Sequence, residues 1–335
     1  MLIFIFLLTT AISCPVTKKQ KGPSFTEFRT GTGAMELEFM DTIPESIPEG
    51  QPFQIGIHLS NVGASNALGQ ILLKTDTKAK FQPGTSYDFV NDNDHAVRAP
   101  FELMGKSVDN PVGEETIKFF NAQIEDNVVY LSEYEESEIK ATLCYNYGTY
   151  AVMDVCVDPK QYIKTRLEQK ACEVKEITSS GQGGPIVITK VIPSYRFKVN
   201  EDEVTPTFEI TIENDGEGTP YWWNPEQECG AIFDTEEKKV LNRVKVFAKL
   251  STETNTLDCH PKTLYVADKE LKELAVLRDG IAEVICEAPP IPVEKAAYVT
   301  PLFVHTLYGY MQEESTTFKI LNTNQEEEER AAEKT

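Results

Sequence analysis

Apolar and polar residues alternate along much of the chain, and this pattern predicts β-strands with one buried face. The segments 35–39 and 53–59 place an apolar side chain at every second position. A period of two is typical of strands with one face in the core and the other toward solvent. Similar segments follow at short intervals, among them predicted strands at 244–250 and 299–307 and a long predicted hairpin at 138–157. The pattern therefore predicts an all-β protein.

One strand pattern occurs twice. An alternating apolar segment that ends in Asn-x-Gly runs from Ile55 to Gly63 and recurs 153 residues later, from Phe208 to Gly216. Asn and Gly tolerate positive φ, so the motif is expected to turn the chain at the edge of a sheet. The repeat predicts two related domains. Frequent short strands favour an immunoglobulin-like β-sandwich for each.

The length of 335 residues is sufficient for two domains with separate cores. A Gly-rich stretch at 179–185 marks the expected junction between them. The predicted organisation is a signal peptide at 1–13, a lipid-anchored spacer at 14–33, sandwiches at 34–158 and 185–321, a linker at 159–184 and a disordered acidic tail at 322–335.

The first thirteen residues are almost wholly apolar, and they are too few to span a bilayer. They are typical of the core of a signal peptide. Cys14 follows the small residues Ala11 and Ser13, an arrangement that resembles the lipobox of prokaryotic lipoproteins. We therefore predict lipidation at Cys14 and attachment to the outer face of the cell membrane. Loss of Cys14 together with the signal peptide is the alternative.

Six further cysteines predict three disulfides and an oxidising, extracellular compartment. Their spacing argues against zinc, because no two of them stand two to four residues apart. Proximity in sequence favours one pair within the second domain, and it leaves two candidates for Cys156, namely Cys144 and Cys172. The six residues are Cys144, Cys156, Cys172, Cys229, Cys259 and Cys286, of which Cys259 and Cys286 are the favoured pair.

The net charge of -21 argues against nucleic acids and anionic lipid surfaces as partners. A strongly acidic protein repels phosphate groups as they approach. Contact with the membrane is accordingly expected only through the lipid anchor.

Several short motifs carry a resemblance to a known family. They are Phe28-Arg29-Thr30-Gly31-Thr32-Gly33, Asn61-Val62-Gly63, Cys144-Tyr145-Asn146-Tyr147, Gly181-Gln182-Gly183-Gly184-Pro185 with the following Ile188-Thr189-Lys190-Val191, and Tyr308-Gly309-Tyr310. With these motifs the chain resembles archaeal surface lipoproteins with tandem CARDB-type, immunoglobulin-like domains. The resemblance implies an extracellular adhesive or scaffold role and leaves the ligand open.

No motif for catalysis is present in the sequence. None of the four histidines adjoins a partnered nucleophile, and the chain has no Gly-x-Ser-x-Gly elbow, His-Glu-x-x-His motif or Walker A loop. We therefore predict a protein that is not an enzyme and that needs no cofactor or metal.

Two segments are candidate sites. The predicted loop from Asp88 to Asp94 is rich in oxygen donors that could bind calcium, but its irregular spacing favours a solvated turn. The candidate binding patch, Tyr221-Trp222-Trp223, joins both tryptophans of the chain in a predicted loop. Adjacent aromatic side chains can stack on sugars or anchor a protein, but packing into the end of the sandwich or the interdomain contact is slightly favoured.

These observations predict a non-catalytic surface module that binds or adheres to envelope proteins or glycans. A structural subunit of a surface layer or filament is a second possibility. A hydrolase of surface glycans that uses Asp/Glu pairs is a third, which no spacing of acidic residues supports.

Overall fold

The structure is a computed structural model that describes residues 28–83, 88–90, 93–129, 132–161, 170–197, 202–222, 229, 240–261 and 274–322. The predicted signal peptide, Cys14 and residues 323–335 of the acidic tail lie outside this part of the chain. The described residues form β-strands and connecting turns without an α-helix, so the prediction of an all-β protein is confirmed. No helix among them is long and apolar enough to cross a membrane.

The strands are numbered in chain order. They are β1 Met35–Phe39, β2 Ser46–Pro48, β3 Pro52–Asn61, β4 Ala67–Thr75, β5 Ala79–Phe81, β6 Asp88–Val90, β7 Asn93–Leu103, β8 Glu115–Ile124, β9 Tyr134–Val157, β10 Ile177–Thr178, β11 Ile186–Phe197, β12 Glu203–Asn214, β13 Thr219–Tyr221, β14 Arg243–Leu250, β15 Asp258–Pro261, β16 Leu274–Val276, β17 Ile281–Glu287, β18 Ile291–Pro292 and β19 Tyr298–Leu321.

The strands form three sheets. A four-stranded sheet has the order β1-β3-β8-β5, and a six-stranded sheet has the order β10-β11-β12-β17-β15 with β18 beside β12. The largest sheet has nine strands in the order β16-β14-β19-β9-β4-β7-β6, with β13 and β2 beside β19. Pairing is antiparallel except between β2 and β19.

Two 24-residue strands, β9 and β19, form the centre of the nine-stranded sheet. They pair along their whole length, from Tyr134 opposite Leu321 to Val157 opposite Tyr298. The segment predicted as a hairpin at 138–157 is therefore one continuous strand. Its partner along this length is supplied by β19, far away in the sequence, which a local pattern does not reveal.

One face of β9 and β19 is buried along nearly the full length of both strands. The smaller sheets cover this face at opposite ends. The ring of Phe53 in β3 lies 5.3 Å from that of Phe318 in β19. At the other end, the hydroxyl of Tyr195 in β11 accepts a hydrogen bond of 2.5 Å from the backbone N–H of Asp158. The central strands thus contribute to the core under both smaller sheets.

The repeated Asn-x-Gly motif makes the same hydrogen bonds in both copies. The Asn61 amide donates to the Ser65 carbonyl at 2.8 Å, and its oxygen accepts from Gly63 N–H at 3.2 Å. Asn214 does the same with the Gly218 carbonyl at 2.9 Å and with the N–H of Gly216 at 3.4 Å. None of these asparagines and glycines has positive φ, so the expected left-handed turn is wrong. Asparagine turns the chain here through its side-chain hydrogen bonds.

Each turn is also attached to a tyrosine of the central strands. Ser65 N–H donates to the Tyr147 hydroxyl at 3.1 Å, and Gly218 N–H donates to the Tyr310 hydroxyl at 3.0 Å. Tyr147 lies on β9 and Tyr310 on β19, so the two long strands occupy matching places in the two copies. The domain boundaries given above remain predictions.

All six cysteines beyond Cys14 form disulfides, as predicted. Cys259 pairs with Cys286, and Cys156 pairs with Cys172, one of its two candidate partners. The third bridge joins Cys144 of β9 to Cys229, 85 residues away. Cys229 belongs to a small second core with Leu72, Ala96, Tyr221 and Met311. The chain after β13 is therefore fastened to the sheet at Cys144.

Candidate functional site

The face of the nine-stranded sheet that points away from the core carries an unusual concentration of rings. Strand register sets three rows across β14, β19 and β9: Lys249–Phe303–Val152, Phe247–His305–Tyr150 and Lys245–Leu307–Gly148. We call Tyr150, Phe247, Phe303, His305 and Leu307 the outer aromatic face. Solvent-facing positions of an antiparallel sheet are normally polar, so a cluster of rings at these positions is unusual for a surface.

The rings of the outer aromatic face are close to one another. Tyr150 and Phe303 are stacked with centroids 6.1 Å apart and an angle of 26° between their planes. His305 lies 6.1 Å from Tyr150 and 6.3 Å from Phe247. Together with Lys249, Ser251 and Thr256 these side chains line an open groove of about 620 Å³. The groove therefore has aromatic walls and a partly polar border.

A second recess of about 330 Å³ continues from this groove and shares His305 with it. Leu307 and Trp222 supply its apolar part, and Ser65, Asn66 and Asn146 supply its polar part. A Cβ at Gly148 would stand 2.9 Å from His305 Nε2 and 3.1 Å from Leu307 Cδ2. The glycine therefore lets both side chains lie across β9, where they line the recess.

Cations border the outer aromatic face on two sides. The Arg29 guanidinium carbon lies 5.3 Å from the ring centroid of Tyr150, beside β9. On β14, Lys245 Nζ lies 5.5 Å from the centroid of Phe247, and Lys249 lines the groove. Cations over ring faces are attracted by the quadrupole of the ring. We call Arg29, Lys245 and Lys249 the basic rim.

His305 is neutral at the centre of this site at neutral pH. Its burial lowers the pKa of the imidazole, and the positive charge of Arg29 lowers it further. Both causes act in the same direction because each disfavours the protonated form. His305 therefore offers a ring face and hydrogen-bonding nitrogens without a charge.

Four tyrosines line the core side of the same strands and serve a structural role. Burial raises the pKa of Tyr145, Tyr147 and Tyr308, and it raises that of Tyr310 to about 12. The Tyr308 hydroxyl is 2.9 Å from Thr149 Oγ1. The hydroxyl of Tyr145 donates to Gln312 Oε1 at 2.9 Å. These phenols stay protonated and hold the strands and turns together.

The candidate patch Tyr221-Trp222-Trp223 is not a continuous exposed surface, because one of its members is buried. Tyr221 is fully buried against Gly309 and so is not an exposed contact. It belongs to β13, which pairs with β19, rather than to a free loop. Trp222 is half-buried and lines the second recess, while Trp223 lies outside the described residues. Of the two members of the patch that the structure describes, Trp222 lines the recess beside the outer aromatic face and Tyr221 does not.

The segment from Asp88 to Asp94 is not a simple loop. Residues 88–90 form β6 and pair with β7, which begins at Asn93, while residues 91 and 92 lie outside the described part. Asp94 is 3.6 Å from His95 Nε2. The described residues contain no group of three or more His, Cys, Asp or Glu side chains arranged to hold a metal. The expectation that residues 88–94 do not bind calcium stays a prediction.

Sequence reasoning identified the strands of this site but missed its chemistry. Residues 244–250 and 299–307 are predicted strands, yet Phe247 and Phe303 read as ordinary apolar strand residues. One sign is present in the sequence of β14: Phe247 occupies a position that alternation assigns to the solvent side, together with Lys245 and Lys249. Strands β14 and β9 come close only because β19 pairs with both of them. No local sequence pattern reveals that pairing.

Comparisons with known proteins give no family for this chain. No protein-family model matches it, and no curated protein matches it. Among solved structures it has a low similarity to AvmM, described as catalysing macrocyclization in alchivemycin A biosynthesis, with 11% identity over 36% of this chain and 78% of that one and a TM-score of 0.19. Spo0M, a sporulation control protein from Bacillus subtilis, matches at 11% identity over 54% of this chain and 80% of its own, with a TM-score of 0.16.

Proposed function

We propose that this protein is a non-catalytic module of the cell surface that binds envelope glycans on its outer aromatic face. One observation carries this proposal: Tyr150, Phe247, Phe303 and His305 line one open groove on a rigid sheet. Aromatic rings present flat apolar surfaces on which the C–H face of a sugar ring can stack. The polar border supplies hydrogen-bonding groups for sugar hydroxyls.

The arrangement favours binding over catalysis. Within the described residues the groove is lined by rings, hydroxyls and a lysine, and no carboxylate pair faces into it. Glycoside hydrolysis usually requires two carboxyl groups on either side of the bond. A blank result with chromogenic glycosides is expected, and turnover by the purified protein would contradict this part of the proposal.

Glycan binding is tested by removing one ring. The variant Phe303→Ala, measured by titration against a panel of surface oligosaccharides, should lose about tenfold in affinity because one stacking surface is gone. Phe119→Ala is the matched control, since Phe119 is 43% exposed on β8 of the four-stranded sheet. Equal loss in both variants, or no loss in either, would reject the outer aromatic face as the site.

The proposed location is the extracellular face of the membrane, with the chain tethered through lipidated Cys14 and folded as tandem immunoglobulin-like, CARDB-type domains. The three disulfides are compatible with an oxidising compartment. Intact mass of the native protein extracted in detergent tests the anchor. A chain that begins at Cys14 and carries the excess mass of a lipid is expected. An unprocessed chain without lipid would remove the anchor from the proposal.

A further inference from the structure

The basic rim indicates which glycans the outer aromatic face would select. The chain carries a net charge of -21, yet Arg29 lies on one side of the ring cluster and Lys245 and Lys249 lie on the other. On the basis of the proposed function, we propose that the ligand is an anionic glycan whose sugars carry carboxylate or sulfate groups.

The geometry matches a polymer with apolar ring faces and charged edges. A pyranose that stacks on Phe303 or Phe247 points its substituents sideways, toward the neighbouring strands. Lys245 and Lys249 are four residues apart on β14, which corresponds to about 13 Å along a strand. Arg29 holds the opposite side at Tyr150. Acidic substituents would therefore meet cations on both sides of the stacked chain.

Charge also defines one end of the site. The row beyond Val152 pairs Asp154 with Pro301, and Asp154 is exposed on this same face. Its carboxylate would repel an anionic chain, so bound sugars are expected over the rows of Phe303, His305 and Leu307. A carboxylate at the end of a groove sets the register of a charged ligand by repulsion.

A membrane surface and an acidic peptide fit less well than an acidic sugar. A membrane surface presents phosphates over a wide area and would meet the strong negative charge of the whole protein. An acidic peptide offers charge, but it presents a flat ring face to Tyr150 and Phe303 only where it also contains aromatic residues. A single-stranded nucleic acid offers both ring faces and charge, so it is included in the test as a competing outcome. Acidic sugars carry an apolar C–H face and a charge on the same residue, so each residue can contact the rings and the rim together.

The test compares oligogalacturonate with the same oligosaccharide after its carboxyl groups have been reduced to alcohols. Titration calorimetry should show that the wild-type protein prefers the acidic form by about tenfold, with affinity falling as salt is raised. Lys245→Gln/Lys249→Gln should weaken the acidic ligand by about three- to tenfold and the neutral one by clearly less, because only the acidic ligand loses two exposed ion pairs.

A control variant separates local from global charge. Lys74→Gln/Lys140→Gln makes the same change in net charge on the same face of the same sheet, where Lys74 and Lys140 are paired at its other end. We expect wild-type affinity from this control. An equal loss in the control and in the rim variant would overturn the inference, since net charge alone would then explain it.

The outcomes distinguish this inference from the proposed function. Equal affinity for the acidic and neutral oligosaccharides, with both lost in Phe303→Ala, would overturn anion selection and keep glycan binding. No binding to either oligosaccharide would overturn the selection as stated, and no binding across the wider panel would reject the proposed function as well. Binding of poly-glutamate, oligo-dT or anionic vesicles as tight as that of oligogalacturonate would overturn the choice of an acidic sugar.

Discussion

Replacement of Asn61 by alanine tests whether the repeated asparagine stabilises the fold through its side chain. The Asn61 amide donates to the carbonyls of Ser65 and Leu103 at 2.8 and 3.0 Å, and its oxygen accepts from Gly63 at 3.2 Å. The side chain is fully buried. Each lost hydrogen bond at a buried site costs about 1 kcal/mol. Asn61→Ala should therefore lower the free energy of unfolding by about 3 kcal/mol.

The second copy supplies the comparison. Asn214 also makes three hydrogen bonds, to the Gly218 carbonyl, Gly216 N–H and the Tyr310 hydroxyl. It is only half-buried, so water can replace part of what alanine removes. We expect Asn214→Ala to cost about 1 kcal/mol, well below the cost at Asn61.

Urea denaturation of both variants under oxidising conditions measures these costs, with the wild-type protein as reference. The transitions should keep their slope and shift in midpoint, because the surface exposed on unfolding is nearly the same. Equal shifts for the two variants would refute the dependence on burial. A cost below about 1 kcal/mol at Asn61 would refute the assigned hydrogen-bonding role.

Three further predictions concern the neighbourhood of the central strands. The bridge between Cys144 and Cys229 closes a loop of 85 residues, and its replacement by two serines should destabilise the protein by about 4–5 kcal/mol. The same change at Cys156 and Cys172, which close a loop of 16 residues, should cost about 3 kcal/mol. An equal loss of melting temperature in the two double variants would contradict this dependence on loop length. Gly309→Ala should destabilise by about 1–3 kcal/mol because a Cβ would meet the buried ring of Tyr221, and an unchanged melting curve would show that the ring can move. The pKa of His305 should lie below 6.5 by NMR titration and rise in Arg29→Gln. Since the unfolded chain binds this proton more readily, the contribution of His305 to stability should fall as the pH drops below 6.5, and a pKa above 6.5 would contradict the assigned burial.

The alternation of apolar residues was sufficient to predict the class of the fold and most of its strands. It was also sufficient to detect the repeat, because Asn61 and Asn214 end two similar strands. It did not predict how the motif turns the chain, because Asn and Gly are compatible both with positive φ and with a turn closed by side-chain hydrogen bonds. Only the structure shows Asn61 bonded to Leu103, 42 residues further along.

The candidate site was harder to predict because it lies across strands that are distant in sequence. Tyr150 and Phe247 flank His305 only through the register of β19 with both neighbours. The tryptophan pair drew attention because it is rare in composition, yet its neighbour Tyr221 proved to be a core residue. Rarity identifies a candidate residue, whereas exposure on a shared face depends on the pairing of the whole sheet.

The central claim is that the outer aromatic face is the binding surface, and hydroxyl-radical footprinting tests it most directly. The wild-type protein would be oxidised with and without saturating oligogalacturonate, and labelling read at single side chains. We predict reduced oxidation of Tyr150, Phe247 and Phe303, with no change at Phe119 and Phe197, which are 43% and 47% exposed elsewhere. Unchanged labelling of the three rings while the oligosaccharide is bound would contradict the claim.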